Sequence, residues 1–404
     1  MVKRILKSYD YSLIVVYAVL SIFGLVMVYS ASMVAPAQRW GVPSDYFFLK
    51  HMQNLALAYG AFLLFALLPY KMYKSNKILM TIVFGSVIVL GLLTVLGTAF
   101  GGAQSWFDIG IRSIQPSELV KLVVIVYLAA IYAKKQAYIN ELNRGVVPPL
   151  IYLVIITFLI ALQPDLGTAS IVFAVGISLL ICSGTSMKTL VKLVSILMIL
   201  AALLSPVFLL KPDLIKDYQS ERIAGYLNPF EEEDGGRQVR NAYIAIGLGG
   251  ITGVGLGKGI QKNGYIPEAH TDFIMAVIAE ELGLIGVLFT LSAIGYLVFR
   301  GIILSIRCKD AFGKLLAIGI SSLIAIQTVI NLGGLTGLIP VTGVPLPFIS
   351  YGGSALLVLS IGLGILVNIS MFTNYSQNYN EKKDEPLPKE GSTRTSKFKV
   401  YSAN

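Results

Sequence analysis

Charged residues are scarce in this 404-residue chain. Asp, Glu, Lys and Arg make up 13% of it, 55% of its residues are hydrophobic, and the mean hydropathy is +0.74. A soluble domain contains about 25% charged residues, so this chain has about half the charged side chains that a water-exposed surface needs. The shortage excludes an ordinary soluble globule and favours the lipid bilayer as the surrounding solvent.

Cysteine is nearly absent as well. The two cysteines, Cys182 and Cys308, are far apart in the chain, and both fall where we predict the cytoplasmic ends of helices. A disulfide framework is therefore not expected. The net charge is +10, but most of the excess lies in short loops between apolar runs. We interpret this distribution as membrane topology and expect no nucleic-acid partner.

Long apolar stretches are abundant instead. A run of about 20 apolar residues can cross the hydrocarbon core of a bilayer as a helix. The chain contains about ten such runs. The predicted spans are 12–31, 51–70, 78–100, 117–133, 146–163, 166–183, 188–210, 272–299, 314–338 and 349–373. We therefore predict an all-α integral membrane protein of about ten transmembrane helices.

Lys and Arg recur in every second loop. They precede the first span and follow the second, fourth, sixth and eighth spans. These residues are Lys3, Arg4, Lys7, Lys71, Lys74, Lys77, Lys134, Lys135, Arg144, Lys188, Lys192, Arg300, Arg307, Lys309 and Lys314. Because short loops rich in Lys and Arg stay in the cytoplasm, both termini are predicted to be cytoplasmic.

Two long segments lie outside the predicted spans. Residues 211–271 form an extracytoplasmic loop between the seventh and eighth spans, and loops of this length are functional or disordered. Its glycine, aromatic and apolar content favours a functional loop. Residues 374–404 are polar and predict a disordered cytoplasmic tail, which leaves residues 1–373 as the membrane domain.

A group of polar residues ends the long loop, directly before the eighth span. His270 or Thr271 would cap a helix whose first turn holds Asp272, where the helix dipole favours a carboxylate. Asp272 is then either a first-turn carboxylate without a further role or a base that accepts a proton from a hydroxyl at the outer membrane surface.

Deeper in the same span, Glu280 and Glu281 are costly in lipid, and Glu280 lies ~12 Å below Asp272. We predict a structural role for this pair, near the inner half of the membrane.

Polar residues also open the fourth and sixth spans. Glu118 and Lys121 are spaced i, i+3 on one helix face. They form either an internal ion pair or the polar rim of a cavity, in which Lys121 would meet an anionic ligand. Asp165 and Thr168 follow Pro164 in a tight outward turn, where a helix cap is the favoured interpretation.

Two further segments are unusual in their backbone requirements. Residues 247–259 are glycine at roughly every second position, but a Walker loop is excluded because Gly259 follows Lys258 and residue 252 is threonine. Close backbone approach at the membrane surface explains the glycines, and contact of the amides with a diphosphate stays open.

The segment Pro340–Ser354 has no charge, three prolines and several glycines. It is predicted to be re-entrant or to line a cavity.

Four strings in this order resemble the SEDS family (shape, elongation, division, sporulation) of bacterial wall synthesis, which includes FtsW, RodA and SpoVE. The resemblance runs from the end of the first span to Asn368. The strings are Gln115-Pro116-Ser117-Glu118 with Lys121, Gln163-Pro164-Asp165-Leu166-Gly167-Thr168, Pro267-Glu268-Ala269-His270-Thr271-Asp272-Phe273 with Glu280-Glu281-Leu282-Gly283, and the loop Pro340–Ser354. The long polar tail is closest to division-type members such as FtsW.

This resemblance implies a peptidoglycan glycosyltransferase that polymerises lipid II on the outer face of the cytoplasmic membrane, at the division septum. The family's catalytic aspartate matches Asp272. Candidates for substrate binding are Gln115, Ser117, Glu118, Lys121, Arg222, Lys258, Lys262, Glu268, His270, Thr271, Ser350 and Ser354. Candidates for a supporting role are Asp165, Thr168, Glu280 and Glu281.

The resemblance also suggests partners and leaves two alternatives open. The expected partners are lipid II, polyprenyl-diphosphate-linked glycan, a class B penicillin-binding protein with transpeptidase activity, and division membrane proteins. The cofactor is unknown; a divalent cation, Mg²⁺ or Mn²⁺, would suit the diphosphate, although no metal ligand is assigned. A flippase for the same lipid-linked precursor would also use intramembrane charges, and a non-catalytic scaffold for division proteins is the third possibility.

Overall fold

The fold is a bundle of long apolar helices. The computed structural model describes residues 2–34, 41–100, 103–108, 113–193, 195, 222, 224–230 and 236–380. The helices are α1 (Val2–Lys7), α2 (Tyr11–Ala31), α3 (Tyr46–Leu67), α4 (Asn76–Leu96), α5 (Pro116–Lys134), α6 (Val147–Ala161), α7 (Leu166–Cys182), α8 (Arg237–Gly249), α9 (Ile274–Arg307), α10 (Ala311–Leu335) and α11 (Gly353–Tyr375). The strands β1 (Thr98–Phe100), β2 (Ala103–Asp108) and β3 (Ser113–Ile114) form a small antiparallel sheet in the order β1-β2-β3.

The predicted spans are confirmed as helices with one exception. Every predicted span but the seventh coincides with one of the long helices, and most of 188–210 lies outside the described residues. Among the described residues, seven helices are long and apolar enough to cross a membrane by length and composition, and α7 is a shorter apolar helix. The all-α membrane fold follows from local hydropathy because each span must satisfy its backbone hydrogen bonds internally.

The structure also differs from the prediction in several places. The third span ends at Leu96 and the chain then forms the small sheet. The loop 211–271 contains α8, a strongly amphipathic helix. At the other end of the chain, α11 continues past residue 373 to Tyr375, and a single π-helical turn follows it to Asn380. The rest of the predicted tail lies outside the described residues.

Close backbone contacts hold the centre of the bundle together. A Cβ on Gly364 of α11 would lie 2.5 Å from the Phe62 carbonyl oxygen of α3, so only glycine allows this approach. The Asn368 side chain donates to the Ala66 carbonyl at 2.8 Å and accepts from the Tyr70 amide at 2.9 Å. These bonds satisfy backbone groups at the end of α3, which have no partner within that helix.

The ends of α2 show where α9 crosses the bilayer. Asp10, which caps α2, forms an ion pair with Arg300 of α9. At the opposite end of α2, the Ser30 hydroxyl bonds Glu281 of α9. Since α2 spans roughly 30 Å, the crossing part of α9 lies between Glu281 and Arg300, and its first turns extend beyond the outer boundary. The prediction that Glu280 and Glu281 lie near the inner half is therefore wrong, because α9 is longer than the bilayer is thick.

Candidate active site

Asp272 lies in a series of turns before α9. The helix begins at Ile274, and its N-cap is Phe273, which makes no side-chain capping bond. The expected cap by His270 or Thr271 is therefore wrong. The reason is that the Thr271 hydroxyl bonds within the turn instead: it lies 2.9 Å from Glu268 Oε2 and 3.1 Å from Asp272 Oδ1. This bridge holds the two carboxylates in one turn.

The backbone around Asp272 is fixed by α10 and by the Pro340–Ser354 loop. The Asn331 amide donates to the Asp272 carbonyl at 2.7 Å and to the Val344 carbonyl at 2.8 Å. The Tyr351 amide donates to the His270 carbonyl at 2.9 Å. These bonds join the two segments that the sequence analysis singled out separately, so the proline- and glycine-rich loop forms one wall of the site.

Aromatic rings pack beside that wall. The buried His270 ring lies 4.4 Å from the ring of Phe47 and 5.6 Å from the ring of Tyr351, centroid to centroid. The other histidine of the chain, His51 on α3, lies 6.0 Å from Tyr351. Phe47, His51 and Tyr351 were not among the predicted site residues, because single aromatic residues in apolar runs are indistinguishable from core residues by pattern alone.

Arg222 brings a positive charge to Asp272. Its guanidinium Nη1 donates to the Val341 carbonyl at 2.9 Å. Gly343, at φ +71°, separates it from the carboxylate: a Cβ there would lie 3.3 Å from Arg222 Nη2 and 4.0 Å from Asp272 Oδ2. Of the four cationic candidates for substrate binding (Lys121, Arg222, Lys258 and Lys262), which were expected to meet the diphosphate, Arg222 is the one that the described structure places beside Asp272. The positive φ and the lack of space both require glycine at 343.

The environment changes the acidity of Asp272. Its pKa is raised to about 7, chiefly by burial and secondly by the negative charge of Glu268, while Arg222 and the Thr271 hydroxyl act in the opposite direction. A carboxylate normally titrates near pH 4. A pKa near the working pH is the range in which a group accepts protons effectively from a substrate hydroxyl.

A hydrogen-bonded rim surrounds the outer end of α7. Asp165 caps this helix by accepting from the Thr168 amide at 3.0 Å, which confirms the predicted cap. Its other oxygen accepts from the Gln115 side chain at 2.9 Å. The Gln115 amide donates to the Ser354 hydroxyl at 3.1 Å. The Ser350 hydroxyl is buried and accepts from the Leu346 amide, so it supports the loop backbone.

Glu118 and Lys121 lie deeper and are committed to one another. Lys121 Nζ is 2.7 Å from Glu118 Oε2, and both side chains are at most 3% exposed. Lys121 also donates to Gln327 at 3.0 Å, and Gln327 in turn donates to the Pro345 carbonyl. The internal ion pair is thus the correct interpretation of the two that were open. The geometry does not support Glu118 and Lys121 as substrate-binding groups, because their charges neutralise each other. A substrate-binding role of Ser117 stays a prediction.

The glycine-rich segment does not offer its amides to a ligand. The amides of Gly257 and Gly259 donate to the Glu281 carboxylate, and those of Ile260 and Gln261 donate to Glu280. The diphosphate contact that the glycines left open is therefore not supported, since carboxylates of the same chain occupy these donors.

The two lysines of this segment have different surroundings. Lys262 is 3% exposed, and its Nζ lies 2.5 Å from Glu281 Oε1, so it is not available to a diphosphate and that expectation is corrected. Lys258 is exposed. The segment that carries it is held by Glu280 and Glu281, which lie about two helical turns along α9 from Asp272.

Chemically, the site combines a buried carboxylate of raised pKa with a neighbouring cation. Sequence reasoning also missed Gln327 and Asn331, which support the backbone of the site; their signal is a pair of polar residues at i, i+4 on one face of an apolar span. Within the ranges that the structure describes, no three His, Cys, Asp or Glu side chains come together as metal ligands.

A family model described as "Cell cycle protein", FTSW_RODA_SPOVE, matches residues 10–375. The chain belongs to the FtsW/RodA/SpoVE family. As a member of this family it is a multi-pass protein of the cytoplasmic membrane.

Relatives of this FtsW/RodA/SpoVE member match along nearly their whole length. It is 53% identical over 393 residues to the probable peptidoglycan glycosyltransferase FtsW of Bacillus subtilis, covering 97% of each chain. It is 39% identical to the stage V sporulation protein E of the same organism, covering 91% of this chain and 98% of the relative.

Two solved structures share the fold of this family member. One, described as "Structural coordination of polymerization and crosslinking by a peptidoglycan synthase complex", matches with a TM-score of 0.73 at 26% identity over 90% of this chain and 98% of that one. The crystal structure of the rod shape determining protein RodA of Thermus thermophilus matches with a TM-score of 0.65 at 25% identity, over 90% of this chain and 96% of that one.

Proposed function

We propose that this chain is a peptidoglycan glycosyltransferase of the division type, which polymerises lipid II on the outer face of the cytoplasmic membrane at the septum. The supporting observation is the buried Asp272 carboxylate, with its pKa raised to about 7, next to Arg222 and on the outer side of the bilayer. The higher identity to the FtsW relative than to the sporulation protein supports the division role.

The mechanism assigns one step to each group. Asp272 removes the proton from the 4-hydroxyl of the acceptor sugar as that oxygen attacks the anomeric carbon of the lipid-linked glycan. The bond from the anomeric carbon to the diphosphate oxygen breaks, and polyprenyl diphosphate leaves with the electron pair. Attack from the opposite face inverts the α-linked donor into a β-1,4 product. Arg222 stabilises the negative charge that develops on the leaving group.

Two further parts of the proposal concern partners and cofactors. Since one solved relative is described as part of a peptidoglycan synthase complex, we propose a class B penicillin-binding transpeptidase as the partner, together with division membrane proteins. For a divalent cation the described residues provide Asp272 and Glu268 but no third ligand, so Mg²⁺ or Mn²⁺ stays a prediction and no step depends on it.

The direct test uses the purified full-length chain in detergent with lipid II as the only substrate. We expect glycan strands that grow with time, detected by gel electrophoresis of the labelled sugar, and a greater rate when the transpeptidase partner is added.

In the flippase alternative, Glu118, Lys121, Glu280 and Glu281 would form a polar path across the membrane, but all four are bonded within the protein. Transfer of lipid II across vesicle membranes without any polymer would overturn the proposal in favour of that alternative.

The pH dependence of polymerisation tests the base. Because only the ionised Asp272 accepts a proton, the rate should rise with pH and reach half its maximum near the pKa of about 7. In Glu268→Gln the neighbouring negative charge is removed, so the ionised form of Asp272 is favoured and the half-maximal pH should fall. Initial rates between pH 5 and pH 9, measured at saturating lipid II, give both midpoints. If the wild type and Glu268→Gln gave the same pH–rate profile with a midpoint near pH 4, the assignment of Asp272 as the base would be contradicted.

A further inference from the structure

Two carboxylates of α9 are surrounded by donors from the extracytoplasmic loop. Glu281 is completely buried, and its oxygens accept from the Gly257 amide at 3.0 Å, the Gly259 amide at 3.3 Å and Lys262 Nζ at 2.5 Å. The hydroxyl of Ser30 lies 2.7 and 2.8 Å from the same two oxygens. Glu281 therefore joins α2, α9 and the loop at a single point.

The backbone of this region is built for the contact. Helix α9 is interrupted at Gly283, which has φ +63° and ψ −159°. The interruption leaves peptide groups without a partner within the helix, and the glycine-rich segment pairs with them. The Leu284 amide donates to the Gly250 carbonyl, and the Val254 amide donates to the Glu280 backbone carbonyl. A Cβ on Gly253 would lie 2.1 Å from the Glu281 carbonyl oxygen, so the segment can approach only without a side chain there.

The same contact closes a chain loop that contains Asp272. Lys262 and Glu281 are separated by 19 residues, and Asp272 lies between them, about half-way. From Lys262 the chain continues through hydrogen-bonded positions: the Ile266 amide donates to the Gln261 carbonyl, and the Asn241 side chain donates to the Tyr265 carbonyl. From Asp272 it returns to Glu281 along the first turns of α9.

We propose that the Glu281–Lys262 ion pair is a positioning device for the catalytic turn, which fixes both ends of the 262–281 loop and thereby sets Asp272 against Arg222. This inference rests on the proposed function. Neither residue touches the substrate; both act through the loop that carries Asp272.

Charge, rather than packing alone, is needed at this point. A buried ion pair adds little net stability over apolar residues of the same size, but it imposes one register on the segments that it joins. Removal of one partner leaves an uncompensated charge in a buried position. A charge left on Glu281 would face Ser30 and the amides of Gly257 and Gly259, and a charge left on Lys262 would face Ser30 and the Gly257 carbonyl. In either case the loop must shift to let water reach the charge.

The experiment is a double-mutant cycle in the full-length chain with lipid II as substrate. Glu281→Gln and Lys262→Met are each expected to lower kcat at least tenfold with KM changed less than twofold. The double variant, in which no charge is left unpaired, should recover more than half of the loss on a logarithmic scale. The control is Arg300→Gln, which breaks the Asp10 pair at the far end of the same helix and should leave kcat unchanged.

A second readout separates positioning from a general loss of folded protein. Within the described part of the chain, the charged groups that face Asp272 are Glu268 of its own turn, Arg222 before α8, and Asp165, through Arg222, at the start of α7. The Pro340–Ser354 loop has no charged residue. A loosened turn admits water to Asp272, so in Glu281→Gln the half-maximal pH of kcat should fall below that of the wild type.

A milder variant keeps the test decisive if Glu281→Gln does not fold. Ser30→Ala removes the hydroxyl that donates to Glu281 and accepts from Lys262 but leaves the ion pair, and kcat should fall about threefold with the same downward shift in the half-maximal pH. Folded Glu281→Gln or Ser30→Ala protein with wild-type kcat and an unshifted profile would overturn the inference, and so would a double variant whose losses simply add. Polymerisation by the wild type that disappears in Asp272→Asn shows that the proposed function holds independently of this result.

Discussion

Asp272→Asn is expected to slow lipid II polymerisation by about 10²- to 10⁴-fold, the usual contribution of a general base. The amide has nearly the same shape as the carboxylate and can keep the Thr271 contact, but it cannot accept the proton of the attacking hydroxyl. Binding of lipid II should change little, since the interaction that is lost develops in the transition state. Single-turnover rates and a binding isotherm of the same purified variant measure the two effects separately.

Glu268→Gln is the matched control for this substitution. It makes the same carboxylate-to-amide change four residues away, in the same turn and with the same Thr271 partner, and it leaves the base in place. We expect its rate at pH 8 to stay within about threefold of the wild type. Polymerisation by Asp272→Asn at the wild-type rate would remove the chemical role assigned to Asp272, and equal losses in both variants would point to the shape of the turn rather than to a base.

Lys121→Met is expected to have the largest effect on stability. It leaves the Glu118 carboxylate without its partner at a position that is at most 3% exposed, and breaking a buried pair in this way costs about 3–5 kcal/mol. It also removes the donor to Gln327, whose amide supports the Pro345 carbonyl of the site wall. Thermal unfolding in detergent measures the loss, and the polymerisation rate of the remaining folded protein shows whether the wall has moved.

The chain provides a control with the same sequence spacing. Glu141 and Arg144 are also an i, i+3 pair, but their atoms are 3.8 Å apart and their side chains are mostly exposed, so Arg144→Gln should not change the unfolding temperature measurably. The double variant Glu118→Gln with Lys121→Met contains no unpaired charge and should recover most of the stability. If the double variant is as unstable as Lys121→Met, the loss comes from packing and the ion-pair explanation is contradicted.

The sequence by itself determined the membrane fold and the approximate extent of the spans. These properties are local: the length and hydropathy of a run such as 12–31 are enough to require a helix in lipid. The Asp165 cap is local in the same way, because its partner, the Thr168 amide, is three residues along the chain. The motif strings identified the family and selected Asp272, but neither hydropathy nor spacing alone assigned it a reaction.

Only the tertiary structure decided which polar groups face a substrate. Lys121, Arg222 and Lys262 were equivalent as sequence-level candidates, yet Lys121 and Lys262 are bonded to buried carboxylates and Arg222 lies beside Asp272. Helical periodicity shows which face of a span is polar but not which segment that face meets. The partners lie far away in the chain: Ser30 and Glu281 are 251 residues apart, and Asn331 and Asp272 are 59 apart. Their meeting depends on how the helices are aligned along the membrane normal, which no local pattern contains.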